Sequence, residues 1–332
     1  MIILEKIMWN ILVSWSTAYD YIMDYKDKFQ NHIKAENIPK LSVSFLIDEL
    51  KKERWGTWLN IAYNIWLLWN RAILLSGVWK DFEFDDFLKE NINLNYIYRS
   101  KDLFSSGWYI TNDIAWNQIT AFYPWAMNES DKVCVKWIDE KISYAIVSPN
   151  KKETMLMHMK ELKNLWIRTF FDPGQAIFTM NKQDLLESMH YSDYLIVNDY
   201  EFNLFKDISW LEKEEIIKSF EKVIITMWDK WSVIIDDSSE EYIPPVINHK
   251  VVDPTWAWDA YRAWLLRWLD LWYNWLTSAN IWTLLASYSV WSYGAQNHFI
   301  EKKYFQKWFE EEFGTEINLD LWREHEVLLL EK

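Results

Sequence analysis

The chain has 332 residues, a formal net charge of -14, a hydrophobic content of 50% and one cysteine, Cys134. The acidity excludes a general nucleic-acid binder. The lone thiol excludes an internal disulfide and fits a reducing cytoplasm, where it reads as a small buried residue. The most apolar region, 263–291, is interrupted by Arg267, Asp270 and Asn274, so neither a membrane span nor membrane attachment is expected. The first residues, Met1-Ile2-Ile3-Leu4-Glu5-Lys6, lack the basic start and apolar core of a signal peptide, and a cytoplasmic protein is expected.

In chain order, Trp9-Asn10-Ile11-Leu12-Val13-Ser14-Trp15-Ser16 reads as a buried first strand entering a turn of small residues. Residues 21–54 are polar and mixed, with a β-like run at Ser42–Ile47. Trp55-Gly56-Thr57-Trp58-Leu59-Asn60 opens an amphipathic helix through Leu68, and Arg71–Val78 is a second buried strand. Alternation predicts antiparallel strands at Asn93–Tyr98, Ser106–Thr111 and Gln118–Tyr123, which would complete a small sheet with 21–54. From Ser143 the pattern alternates: strand Tyr144–Val147, helix 151–165, strand Ile167–Phe171, helix 182–190, strand Tyr194–Val197, helix 211–219, strand Val223–Thr226. Such alternation implies right-handed crossovers and a largely parallel sheet covered on both faces. Helices over 258–272 and 277–291 follow, then a surface helix around Phe305–Phe313.

Ligands in such sheets bind at the carboxyl ends of the strands. Three polar signatures fall there: Asp172-Pro173-Gly174, Asn198-Asp199-Tyr200-Glu201, and Thr226-Met227-Trp228-Asp229-Lys230-Trp231. A Walker A pattern is absent, which disfavours a P-loop kinase. The six His residues show no paired ligand spacing, so no zinc site is expected.

One stretch is physically odd. Val251-Val252-Asp253-Pro254-Thr255-Trp256-Ala257-Trp258-Asp259-Ala260 feeds a helix through a short turn that holds two Trp one residue apart. A turn that bends sharply and presents its N–H groups normally takes small residues. The chain holds 6 Gly and 25 Trp, where ordinary usage of ~7% predicts about 23 Gly. Many of these Trp are therefore expected to be glycine codons, most simply UGA, read with the wrong genetic code. UGG at positions 256 and 258 would contradict that reading.

With Gly at 256 and 258 the stretch becomes Asp-Pro-Thr-Gly-Ala-Gly-Asp-Ala. It then resembles the signature of the PfkB family of ribokinase-like carbohydrate and nucleoside kinases. The resemblance covers nearly the whole chain. It implies an α/β fold, ribokinase-like, three-layer α/β/α, with a mostly parallel central sheet and a small β-sheet lid. One domain would span 1–332, with the lid over about 17–54 and 93–125 and the nucleotide-binding half over about 143–300.

The resemblance also implies roles. The turn Trp256, Ala257, Trp258 would be an anion hole for the transferring phosphate, and Asp259 the catalytic base. Asp20, Gly56 and Asn60 would hold the acceptor; a carboxylate suits this because it accepts two hydrogen bonds from a vicinal diol. Asn198, Thr226, Trp228, Asn280 and Gly294 would face ATP, and Glu201 of the Asn-x-x-Glu motif would help place Mg²⁺. Lys230 is left outside the site as a solvated loop residue. The run Asn117-Gln118-Ile119-Thr120-Ala121-Phe122-Tyr123-Pro124 resembles adenosine-kinase-like members, which favours a nucleoside over a sugar; Phe122 or Tyr123 would stack on the base. Family dimers often pair through the lid. Two other readings stand beside the nucleoside kinase: a sugar kinase such as a ribokinase or fructokinase, and a non-catalytic carbohydrate-binding protein whose Trp form exposed platforms.

Overall fold

The computed structural model describes residues 9–16, 18–34, 42–55, 57–67, 71–79, 82–84, 86–102, 106–115, 117–227, 231–246, 257–270, 273–289 and 302–317. Its first half contains β1 (Asn10–Ser14), β2 (Ala18–Asp24), β3 (Glu49–Trp55), α1 (Thr57–Leu67), β4 (Ala72–Trp79), α2 (Asp86–Asn91), β5 (Ile97–Ser100), β6 (Ser106–Asn112) and β7 (Gln118–Tyr123). Then come β8 (Ile142–Val147), α3 (Lys152–Asn164), β9 (Arg168–Phe171), α4 (Lys182–Tyr191), β10 (Tyr194–Asn198), α5 (Asp199–Ser209), α6 (Lys213–Lys218) and β11 (Lys222–Met227). The chain ends with β12 (Trp231–Ile235), β13 (Glu240–Ile243), α7 (Ala257–Asp270), α8 (Trp275–Ser289) and α9 (Lys302–Phe313).

The large sheet runs β13-β12-β11-β10-β9-β8-β1-β4-β5. From β11 to β5 its strands are parallel, and the β12–β13 hairpin adds an antiparallel edge. Side chains alternate across it. Ile11, Val13, Leu74 and Ile146 point into one core, which α1, α7, α8 and α9 cover with Ile61, Ile65, Leu266, Leu285 and Phe305. Leu12, Leu75 and Val147 point into the other, which α3 to α6 cover with Met155, Leu185, Phe205 and Ile216. That gives three layers, α/β/α. Strands buried on both faces must be continuously apolar, which is why β4, β8 and β10 are easily read from sequence.

A second sheet, β3-β2-β6-β7, forms the lid. Three expectations need correction here. Residues 42–47 carry no strand; the lid strand is the charged Glu49–Trp55, paired antiparallel with β2. Residues near 93–98 do not join the lid, because β5 pairs parallel with β4 at the edge of the large sheet. Nor is the lid wholly antiparallel, since β2 and β6 run parallel. A parallel pair needs a long crossover, and the helices and strands between β2 and β6 supply one.

Behind the sheet, His158 of α3 is fully buried. Its Nε2 lies 2.9 Å from the Val133 carbonyl, which can only accept, so Nε2 carries the proton and Nδ1 accepts from the Ser14 hydroxyl at 2.7 Å. Burial pushes the imidazole down to about 4, against the opposing pull of that carbonyl. Between pH 6.5 and 4 the unfolded chain therefore binds the proton and the folded one does not. Stability is expected to fall as pH drops through that window, by about 3 kcal/mol from this one group. Urea unfolding of the wild type and His158→Gln at pH 7 and pH 4.5 checks it: the wild type should lose more. Equal losses would contradict this.

Candidate active site

The strand order reverses at β1. The chain passes from β1 out to β4 and β5 on one side, then returns to β8 on the other and continues outward. The crevice at such a reversal, beyond the carboxyl ends of the strands, is where open α/β sheets bind ligands. The lid begins at the same edge. Ser14 ends β1, Ser16 Oγ donates to the Pro149 carbonyl after β8 at 2.8 Å, and β2 follows at once.

At this edge β10 ends on Asn198, which caps α5. Asn198 Oδ1 accepts from the Glu201 N–H at 2.7 Å, and Glu201 Oε2 accepts from the Asn198 N–H at 2.9 Å. This reciprocal box satisfies two orphan donors and fixes the Glu201 carboxyl over the strand end. Thr226 of β11 stands directly opposite Asn198 in the sheet register, and its hydroxyl is buried 3.4 Å from the Val197 carbonyl. Asn198, Glu201 and Thr226 thus lie together at this strand edge.

Two residues outside the expected set tie the site to α7. Asp172, at the end of β9, is fully buried. It accepts from Arg262 Nε at 2.7 Å and Nη2 at 3.0 Å, and from Ser148 Oγ at 2.9 Å. A bidentate guanidinium–carboxylate fork is directional, so it fixes α7 against the ends of β8 and β9. Sequence flagged Asp172 by its place after an apolar strand. Nothing in a linear pattern marks Arg262, 90 residues away. The next turn after Asp172 needs a true glycine: Gly174 has φ +46°, and a Cβ there would meet Pro149 Cγ at 2.5 Å.

Electrostatics link these groups. Burial, then the charge of Asp172, push the Glu201 carboxyl above its ordinary range; the Asn198 N–H and Arg262 oppose them. Arg262→Met should strand a buried carboxylate and destabilise the fold by about 3–5 kcal/mol. The double variant Arg262→Met with Asp172→Asn should recover much of that loss in urea unfolding. A single variant as stable as the wild type would contradict the tie.

The backbone places Ala257, Trp258 and Asp259 as the first three residues of α7. Asp259 is therefore in the first helical turn, three residues before Arg262; its side chain and those of Ala257 and Trp258 lie outside the described part. Asn60 is the fourth residue of α1, and Asp20 lies in β2 opposite Glu53 and Trp108. Their side chains are likewise not described. Gly56, Trp228, Lys230, Trp256 and Gly294 lie outside the described residues. Asn280 sits half-buried in α8, and among the described residues it bonds to none of the other candidates. Phe122 and Tyr123 end β7, the lid strand beyond β6.

Among the described residues there is no cluster of three or more His, Cys, Asp or Glu positioned to hold a metal, and no helix long and apolar enough to cross a membrane.

Comparison with known proteins gives a consistent result. A family model described as pfkB family carbohydrate kinase matches residues 17–303. A nucleoside kinase of Methanocaldococcus jannaschii is 28% identical over 251 residues, 74% of this chain and 79% of that one. The structure of Burkholderia thailandensis nucleoside kinase in complex with inosine superposes with a TM-score of 0.82 at 30% identity, covering 92% of this chain and 99% of that one. The same protein in complex with ADP-inosine gives 0.80 at 29%, covering 97% and 100%.

Proposed function

The chain belongs to the pfkB family of carbohydrate kinases, and from that premise we propose that it transfers the γ-phosphoryl group of ATP to the hydroxymethyl group of a nucleoside. That it is a kinase of ribokinase-like fold follows from the family and the nucleoside kinase relatives. Those relatives, one of them bound to inosine, favour a nucleoside acceptor over a free sugar. They also displace the reading of a carbohydrate-binding protein without catalysis.

The observation that carries the reading is the Arg262–Asp172 fork. It brings the start of α7, with Asp259 in its first turn, to the edge where Asn198, Glu201 and Thr226 already converge. Phosphoryl transfer needs placement and charge stabilisation rather than covalent help. The turn 256–258, as Gly-Ala-Gly, would aim backbone N–H groups and the α7 N-terminus at the transferring phosphate. The acceptor oxygen attacks the γ-phosphorus, the bond to the β-phosphate oxygen breaks, and ADP leaves. Asp259 takes the proton of the attacking hydroxyl. In this reading Asp20, Gly56 and Asn60 would orient the acceptor, Thr226 and Trp228 would line the nucleotide side with Asn198, Asn280 and Gly294, and the lid would exclude water.

The residues present fit Mg²⁺. Glu201 is a half-buried carboxyl whose ionised form is disfavoured by burial and then by Asp172, which a cation would offset, and Mg²⁺ needs only one or two carboxylates because it keeps several waters. When bound, it would neutralise charge on the phosphates. A cytoplasmic setting and pairing of two copies through the lid complete the reading.

A panel of inosine, adenosine, ribose and fructose with ATP and Mg²⁺, run on the chain carrying Gly at 256 and 258, tests the acceptor. The proposal expects the nucleosides to be preferred at least tenfold in kcat/KM; preference for a free sugar would replace it with the sugar-kinase reading.

A further inference from the structure

Among the described residues four have positive φ: Gly174, Gly314, Trp166 and Trp210. The left-handed region crowds any Cβ against the following carbonyl, so it is the habit of Gly, and to a lesser degree Asn and Asp. Trp has no physical reason to be there. Both Trp lie far along the chain from the stretch 251–260.

Their surroundings define them further. Trp166 (φ 60°) follows α3. Its N–H donates to the Lys163 carbonyl at 3.1 Å, and the Ile167 N–H donates to the Leu162 carbonyl at 3.0 Å. Those two bonds make a Schellman motif with Trp166 at C′, the position where glycine predominates. Leu162 and Ile167 lie in the same apolar core, as that motif favours. Trp210 (φ 59°, ψ 31°) follows α5, and its N–H donates to the Lys206 carbonyl at 2.8 Å. That single bond is the simpler left-handed cap, again a glycine position.

The indoles gain little in return. Trp166 is 91% exposed and Trp210 is 80% exposed. The Trp210 ring has Lys182 Nζ 4.7 Å from its centroid, an exposed contact of the weak kind. Burial therefore does not explain either residue.

We propose that positions 166 and 210 are glycine in the protein the cell makes, because UGA codons rendered as Trp specify Gly there. The assignment stands apart from the kinase reading, since it rests on two helix ends and no site residue. Its consequence reaches the site. The same code applied to Trp256 and Trp258 would give Gly-Ala-Gly, whose N–H groups could close on a phosphate that two indoles would exclude.

The deciding experiment is mass spectrometry of the tryptic peptides 164–168 and 207–213 from the native organism, with the gene sequenced beside it. Gly masses with UGA at both codons are expected. A Trp mass, or a UGG codon, at either position overturns the assignment there. A second measurement uses the recombinant chain, without reference to activity. Trp166→Gly and Trp210→Gly should each raise Tm by about 2 °C or more, whereas Trp166→Ala and Trp210→Ala, which keep a Cβ in the left-handed region, should give less than half that gain. Equal gains for Ala and Gly would contradict the left-handed argument.

Discussion

In the chain carrying Gly at 256 and 258, Asp259→Asn is expected to lower kcat by about 10²–10⁴-fold while ATP still binds, because that is the usual contribution of a positioned general base. The substitution keeps size and hydrogen-bonding shape but removes the ability to take a proton. Asp259 occupies the first turn of α7, and the helix is fixed independently by Arg262 on the buried Asp172. The variant should therefore fold normally and leave Asn198, Glu201 and Thr226, the residues proposed to face the nucleotide, in place. Loss confined to kcat, with the nucleotide dissociation constant changed less than threefold, is the signature of a group acting on the attacking hydroxyl. Stopped-flow or steady-state assay with equilibrium nucleotide binding reads both. Near-normal turnover would remove Asp259 from the base role.

The second large effect concerns the turn itself. A chain with Trp256→Gly and Trp258→Gly is expected to exceed the chain carrying both Trp by at least 10²–10³-fold in kcat, the loss usually seen when one preorganised oxyanion donor is removed. Two indoles at 256 and 258 would occupy the volume that the phosphate needs and would hold it away from the α7 N-terminus. Trp256→Ala with Trp258→Ala should recover less, since a methyl group still keeps the backbone from close approach. Comparable turnover in the all-Trp chain would show that the turn does not form the anion hole.

Much of this architecture was legible because burial on both sheet faces writes itself as apolar runs. Tyr144–Val147, Tyr194–Val197 and Val223–Thr226 all fall within β8, β10 and β11. The α7, α8 and α9 periodicities were equally plain. What escaped had opposing local signals. The lid strand β3 reads Glu-Leu-Lys-Lys-Glu-Arg-Trp, a charged run with poor strand propensity that forms by pairing with β2. The more apolar 42–47 drew the expectation instead. Residues 97–100 alternate like a lid strand, yet they pair with β4, which no local pattern reveals. No helix over α5 and no hairpin β12–β13 is expected from the pattern; Asn198 and Glu201, which cap α5, stand out only as a polar motif. Within the site, the motif residues at strand ends were legible because topology forces them to one edge. The Arg262–Asp172 fork was not, because it joins residues 90 positions apart.

Phosphoryl transfer to a nucleoside can be read in a single assay. The chain carrying Gly at 256 and 258 is incubated with γ-labelled ATP, Mg²⁺ and inosine, and the product is located by NMR. The labelled phosphoryl group is expected on the hydroxymethyl oxygen of inosine, and largely lost in Asp259→Asn. Label on a free sugar but not on the nucleoside, or ATP hydrolysis with no labelled nucleoside, would contradict it.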